Sequence, residues 1–209
     1  MSDAEIDLLD PVMVTQYYKT YKDKEGAYPP TELELTTEQL SAWVMTLKSG
    51  AIYVDMSVWG PNGDKIMGRI KLSGLILGGD GTWKTVEIVG PENFDMWALG
   101  YDVFKVACIM TGTISPSRID AYARKIHNYY KRYGQKCWGL IYQADVRARR
   151  RHAERTRRAL AEEHATANAA GGTHPHDPDQ PWELVWDRMA DDSDFWKREI
   201  KVLKSIERH

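Results

Sequence analysis

Six of the arginines between residues 147 and 158 are the side chains in this sequence best suited to binding chemistry. Four of them recur at spacings of four, four and three residues, which places them on one face of a helix, and two flank that face. Because the planar guanidinium group can donate two hydrogen bonds at once to a phosphate, such a face suits the backbone of RNA or DNA. The residues predicted to bind nucleic acid are Arg147, Arg150, Arg151, Arg155, Arg157 and Arg158.

Two other interpretations of this segment stay open. The helix can be a solvated one whose arginines pair locally, as Glu154 and Arg158 would at an i,i+4 spacing. The arginine face can instead contact an acidic protein partner or the acidic part of this chain. The three interpretations differ in whether the guanidinium groups are free, locally paired or covered.

Tyrosines alternate with basic residues just before this segment, in YARKIHNYYKRYGQK. Aromatic rings in a basic groove can stack on unpaired bases. However, Tyr122, Tyr129 and Tyr133 share a helical face with Ile119, which favours a place in the core. Tyr130 is the one ring of this group that the pattern leaves for a base.

The sequence predicts no catalytic residue, no metal and no cofactor. HPHDPD, residues 174–179, contains two histidines and two aspartates, but its prolines favour a linker, and no distant Cys or His pair completes a ligand set. Cys137 can be drawn as a dyad with His127 or His152, yet it lies beside Trp138 in a stretch typical of packing. The sequence contains no nucleophile elbow, phosphate-binding glycine loop or metalloprotease motif. An enzyme with a site assembled from distant residues is the alternative.

Charge is divided unevenly along the chain. The whole sequence has 28 basic and 30 acidic residues, a net charge of −2. Residues 118–158 contain 13 basic and three acidic residues, which leaves −12 for the remainder. This division predicts either an electrostatic partner for the basic part or pairing within the chain.

Several protein classes are disfavoured by composition. The N-terminus MSDAEIDLLDP is acidic and lacks the apolar region of a signal peptide, and no stretch approaches the roughly 18 apolar residues of a membrane span. Cys108 and Cys137 are too few for a disulfide framework and do not form a CxxC pair. We therefore expect a cytoplasmic or nuclear location, with no membrane partner.

The apolar pattern predicts the elements that position these residues. Residues 36–50 read as a helix with Thr36 and Gln39 as a capping box. The period then changes to two in IYVDMSVW, KIMGRIKL and TWKTVEIV, which are separated by GPNGD and GGDG turns. Helical spacing returns at Pro91, and Ser115 and Pro116 are typical of a cap and first turn. The predicted fold class is α+β: an N-terminal helix, an antiparallel β-meander of three or four strands, and a helical half with a long basic helix.

Five segments follow from this pattern: a loosely ordered lead-in at 1–35, an α+β core domain at 36–146, a basic helical extension at 147–166, a linker at 167–181, and a C-terminal amphipathic segment at 182–209. The last segment has too much apolar surface to remain in water. We expect it to fold back onto its own domain or to reach a second subunit. The residues predicted to dock are Trp182, Trp186, Trp196, Ile200 and Leu203.

Four stretches of the chain resemble a family of uncharacterised proteins from unicellular eukaryotes, some of them associated with mobile elements. The stretches are DMSVWGPNGDKIMGRIKLSGL, WKTVEIVGPENFDMW, RYGQKCWGLIYQADVRARRRHAER and PWELVWDRMADDSDFWKREI, and the resemblance spans most of residues 36–200. The family has no established activity, so the resemblance implies only a nucleic-acid-associated or Gag-like structural role.

The sequence as a whole predicts a non-enzymatic interaction or assembly protein, Gag-like in kind, whose basic helix binds the backbone of RNA or DNA. The main alternative is a protein–protein scaffold module, or a self-associating one, that docks through its tryptophan-rich C-terminal helix.

Overall fold

A computed structural model describes residues 7–48, 56, 59–60, 71–77 and 83–206. The chain divides into two compact units, Met1–Gly112 and Thr113–His209. This boundary falls inside the segment 36–146, which the sequence predicts as one domain. Gly112 marks the break because it ends a helix in the left-handed conformation, with φ at 67°.

The described part of the first unit contains three helices and a hairpin. The helices are α1 (Pro11–Glu25), α2 (Thr37–Lys48) and α3 (Phe94–Thr111), and the strands are β1 (Lys71–Leu77) and β2 (Trp83–Val89). A short 3₁₀ turn, Thr31–Leu33, lies between α1 and α2.

The prediction that residues 1–35 are loosely ordered is wrong over α1. Asp10 caps this helix by accepting a hydrogen bond from the Val12 N–H at 2.7 Å, and Pro11 occupies its first turn. Gly26 ends it in the left-handed conformation. The Nζ of Lys24 donates to the carbonyl of Ile109 at 2.9 Å, which ties α1 to the C-terminal end of α3.

The capping box predicted for α2 is confirmed. The backbone N–H of Gln39 donates to the Thr36 hydroxyl at 3.2 Å, and the Thr36 N–H donates to the Gln39 side-chain oxygen at 2.9 Å. The helix packs Trp43 into the core of the unit, where its ring meets those of Trp59 and Phe104 at centroid distances of 6.0 and 5.2 Å.

The predicted α+β class is wrong, because the described residues are overwhelmingly helical. Among the described residues the sheet is one antiparallel hairpin, in which Lys71 pairs with Val89 and Leu77 with Trp83, instead of a meander of three or four strands. The strand predicted at 52–59 and the GPNGD and GGDG turns lie almost entirely outside the described residues. Alternation of apolar residues reports a strand locally and carries no information about how many strands pair.

The second unit is built from five helices in its described range. They are α4 (Pro116–Tyr133), α5 (Trp138–Arg147), α6 (Ala153–Ala169), α7 (Trp182–Asp191) and α8 (Ser193–Ile206). A 3₁₀ turn, Gln135–Cys137, precedes α5, and a π-helical turn, Ala148–His152, joins α5 to α6. Pro116 opens α4 as expected, but the Ser115 side chain does not cap it; instead the Ser115 N–H donates to Glu183 at 2.7 Å.

The C-terminal helices are packed within this unit. Helix α7 contacts α4 and α6, and α8 contacts α5. The rings of Trp186 and Trp196 lie 5.2 and 5.9 Å from that of Tyr122, and Trp196 is also 5.6 Å from Tyr129. The five residues predicted to dock, Trp182, Trp186, Trp196, Ile200 and Leu203, are all buried here.

The segment predicted as a linker, 167–181, is shorter and more ordered than its composition suggests. Helix α6 continues to Ala169, and its end is closed by the Gly172 N–H, which donates to the Ala167 carbonyl at 2.9 Å. The residues that follow lead directly into α7, and His176 among them is buried. Glycine and proline mark where regular structure ends, but they do not predict whether the connecting chain packs.

Candidate nucleic-acid interface

The predicted arginines lie on a continuous helical segment formed by α5, the π-helical turn and α6. The structure exposes four of them, Arg150, Arg151, Arg155 and Arg158, and leaves Arg147 and Arg157 half-buried. Three of the exposed four, Arg151, Arg155 and Arg158, have neither an ion pair nor a hydrogen bond to any described residue. We refer to these three as the arginine surface.

The π-helical turn shifts the side chains of α6 around the helix axis relative to those of α5. The Ala153 N–H donates to the Ala148 carbonyl, five residues back, so the turn contains one residue more than an α-helical turn. This extra residue offsets the phase of α6 by about 100°. Thr156 and Leu160 of α6 are buried, as are Ile141 and Asp145 of α5, and the arginine surface lies on the exposed side of α6.

Two of the predicted arginines are engaged in ion pairs. Arg147 donates through Nε to Glu199 on α8 at 2.5 Å. Arg157 donates two hydrogen bonds to the Glu154 carboxylate at 2.8 and 3.1 Å, so Glu154 pairs with Arg157 rather than with the expected Arg158. The hydrogen bond between them lowers the pKa of Glu154 and raises that of Arg157. Both arginines are therefore poorer phosphate donors than the three of the arginine surface.

A seventh arginine in this stretch, Arg149, is buried and was not predicted as a special residue. It donates Nε and Nη2 to the two oxygens of Asp145 at 2.9 and 2.7 Å, and both side chains are at most 1% exposed. The Tyr122 hydroxyl donates to Asp145 at 2.8 Å. Burial opposes the charge on Arg149, but the Asp145 carboxylate and its hydrogen bonds outweigh it and raise the pKa of Arg149. The sequence feature that indicates this buried pair is Asp145, which lies four residues before Arg149 within an apolar stripe.

A cleft of about 540 Å³ lies beside the arginine surface and includes Arg155 in its wall. His152 stacks on Phe195 with ring centroids 4.2 Å apart, and its Nε2 lies 3.1 Å from an Asp192 oxygen. Burial is the largest influence on His152 and, together with the positive charges of Arg155 and Arg198, outweighs the attraction of Asp192, so its pKa is lowered. Three arginines and three aspartates line the cleft, so it presents no net positive charge to an anion: Arg155, Arg188, Arg198, Asp191, Asp192 and Asp194.

The structure gives the other candidate residues structural partners. The Tyr130 hydroxyl donates to Gln135 at 3.3 Å and its ring meets Trp138 edge-on, so Tyr130 is not free for a base. Cys108 and Cys137 are buried thiols. Among the residues described, no group of three or more His, Cys, Asp or Glu is arranged to hold a metal ion.

Comparison with protein-family models, with curated proteins and with solved structures found no match. The resemblance to the family from unicellular eukaryotes therefore stays a prediction. None of the helices in the described ranges combines the length and apolar character needed to cross a bilayer.

Proposed function

We propose that this protein is a non-enzymatic nucleic-acid-associated protein that binds the phosphate backbone through the arginine surface. The observation that carries the proposal is the set of three neighbouring exposed arginines without partners among the described residues. Arginines kept for folding pair with carboxylates, as Arg147, Arg149 and Arg157 do in the same segment. Three guanidinium groups left in water, side by side, are available to phosphate oxygens.

The helix supports these side chains on a packed base. The face opposite the arginine surface is buried through Ala153, Thr156 and Leu160. From Arg151 to Arg158 the helix rises about 10 Å, a length over which a duplex carries about six phosphate charges. The spacing of the three arginines along the helix is therefore comparable to the spacing of phosphates along a duplex.

The charge of the second unit favours the same partner. It contains 19 Lys and Arg against 14 Asp and Glu, a net charge of +5, whereas the first unit has 9 against 16, a net of −7. A positive unit attracts polyanions over a distance comparable to the Debye length, about 8–10 Å at ordinary salt. Because backbone contacts carry no base information, binding should have little sequence preference.

The alternative of a scaffold that docks through the C-terminal tryptophans receives no support from their positions. Trp182, Trp186 and Trp196 are buried within the second unit, so an outside partner would have to compete with an established core. Burying side chains of this size stabilises the fold by about 1.5–3 kcal/mol each. The arginine surface needs no such rearrangement.

The proposal is tested by fluorescence anisotropy with random-sequence duplex DNA and single-stranded RNA at 50 mM salt. The triple variant R151A/R155A/R158A should bind at least about tenfold more weakly than the unmodified protein, since three charge-assisted contacts are removed. Alanine has at least the helix propensity of arginine, so α6 is retained.

A matched control removes three exposed basic residues elsewhere in the same unit. R124A/K131A/K136A changes the net charge by the same amount, and these residues have no ion pair or hydrogen bond to the described part of the chain. It should retain most of the affinity. Equal losses in the two triple variants would show that net charge, rather than the arginine surface, determines binding, and absence of binding at 50 mM salt would overturn the proposal.

A further inference from the structure

Three histidines come together where the chain leaves α6 and turns towards α7. His164 lies on α6, and His174 and His176 lie in the connection formed by residues 170–181. Their ring centroids are 6.3 Å apart for His164 and His174, 5.9 Å for His164 and His176, and 6.5 Å for His174 and His176. The fold thus adds a third imidazole to the two in the HPHDPD segment.

Hydrogen bonds indicate the tautomer of a neutral His174. The backbone N–H of His176 donates to Nδ1 of His174 at 3.1 Å, so Nδ1 carries no proton. The proton then resides on Nε2, which lies 3.3 Å from the Glu163 carboxylate. If Nδ1 also carried a proton, it could no longer accept the hydrogen bond from the His176 N–H.

His176 is the member of the cluster least able to accept a positive charge. It is only 4% exposed, and its Nδ1 is buried without a hydrogen-bond partner among the described residues. Burial lowers its pKa, and positive charge on His164, His174 and Arg157 lowers it further, while Asp177 acts in the opposite direction. A buried imidazolium without an acceptor is strongly disfavoured.

The nearby carboxylates do not compensate all three rings. Glu163 on α6 faces His174, but it is shared with Arg188 of α7, which donates to it at 2.8 Å. His164 contacts the amide nitrogen of Asn168 at 3.2 Å, and neither His164 nor His176 forms an ion pair with a described residue. Protonation of the cluster therefore places positive charges about 6 Å apart, with Glu163, already shared with Arg188, as the ion-pair partner of His174.

We propose that His164, His174 and His176 form an acid-sensitive clasp, which holds the α6–α7 connection against α6 at neutral pH and releases it below about pH 6. This inference is independent of nucleic-acid binding.

The direction of the pH dependence follows from linkage. A histidine whose pKa is lower in the folded than in the unfolded state binds protons more weakly when folded. Its contribution is fully present above the unfolded value of about 6.5 and is lost as the pH falls below that value. The range from pH 7.5 to 5.5 spans the ordinary pKa of histidine and lies above the ordinary pKa values of Asp and Glu.

Hydrogen exchange of the full-length protein, measured by mass spectrometry at pH 7.5 and 5.5 and corrected for intrinsic rates, tests the clasp. Opening of peptides within residues 170–181 should increase severalfold at pH 5.5, because the open connection binds protons more readily than the closed one. Protection that is equal at both pH values, or that is lost in parallel throughout α4 to α8, would overturn a local clasp.

Two variants remove the titration at different members of the cluster. H176F replaces the buried ring with one that cannot be protonated, so the connection should stay protected at pH 5.5. If that variant does not fold, H164Q removes a positive neighbour and should reduce the pH effect. H127Q on α4 is the control and should keep the full effect. An unchanged pH dependence in H164Q and in a folded H176F would contradict the proposal.

Discussion

Arg149 and Arg151 are two positions apart and chemically identical, yet one is buried against a carboxylate and the other lies in water. The difference arises from the helix phase, because Arg149 falls on the side that packs and Arg151 on the opposite side. Residue type alone therefore does not identify a binding arginine. The partner of each guanidinium group distinguishes the two kinds. Arg147, Arg149 and Arg157 are paired with carboxylates, and Arg151, Arg155 and Arg158 form the arginine surface.

The buried pair leads to a prediction on stability. D145A should lower the free energy of unfolding by about 3–5 kcal/mol, because it leaves the Arg149 charge buried without compensation and removes the acceptor of the Tyr122 hydroxyl. E154A is the control: it breaks the partly exposed pair with Arg157 and should cost at most about 1 kcal/mol. Urea denaturation measures both. A similar loss in the two variants would mean that the buried pair is not held in a low-dielectric environment.

At the scale of the element, the π-helical turn is the feature that orients the arginine surface. It adds one residue between α5 and α6, which shifts every side chain of α6 by about 100° around the helix axis relative to those of α5. A straight α-helix through this sequence would lack this shift, and Arg151, Arg155 and Arg158 would be turned by the same angle relative to Arg147. The predicted face of Arg147, Arg151, Arg155 and Arg158 assumed such a helix; Arg147, before the turn, is paired with Glu199 instead of joining the other three.

The turn predicts an asymmetry between two single-residue deletions. Deletion of Arg151 can convert the π-helical turn to an α-helical one while the phase of α6 is kept, so it should cost less than about 1 kcal/mol. Deletion of Arg124, an exposed arginine in the regular helix α4, rotates the buried Ile126 out of register with Tyr122 and should cost at least about 2 kcal/mol.

Thermal unfolding followed by circular dichroism compares the two deletions, with R151A and R124A as references that remove the same side chains. If deletion of Arg151 is as costly as deletion of Arg124, the extra residue in the turn is required for packing and not merely accommodated.

At the scale of the whole molecule, the sequence is informative wherever structure depends on neighbours along the chain. The Thr36 and Gln39 capping box is confirmed, and Pro116 opens α4, because both depend on residues within one helical turn. The α+β class is wrong because pairing of strands is a long-range property. Three features depend on contacts between elements, which spacing alone does not specify. They are the tie of α1 to α3 through Lys24, the hydrogen bond from Tyr122 to the buried Asp145, and the cluster of His164 with His176.

The salt dependence of binding tests the role of the arginine surface most directly, because it counts the phosphate contacts. With three contacts, the affinity of the unmodified protein should fall roughly 20- to 40-fold between 50 and 200 mM salt, for single strands and duplex DNA respectively. The slope of log K against log salt should decrease by about two to three in R151A/R155A/R158A and remain unchanged in R124A/K131A/K136A. An unchanged slope in the first variant, or an equal decrease in both, would contradict binding through Arg151, Arg155 and Arg158.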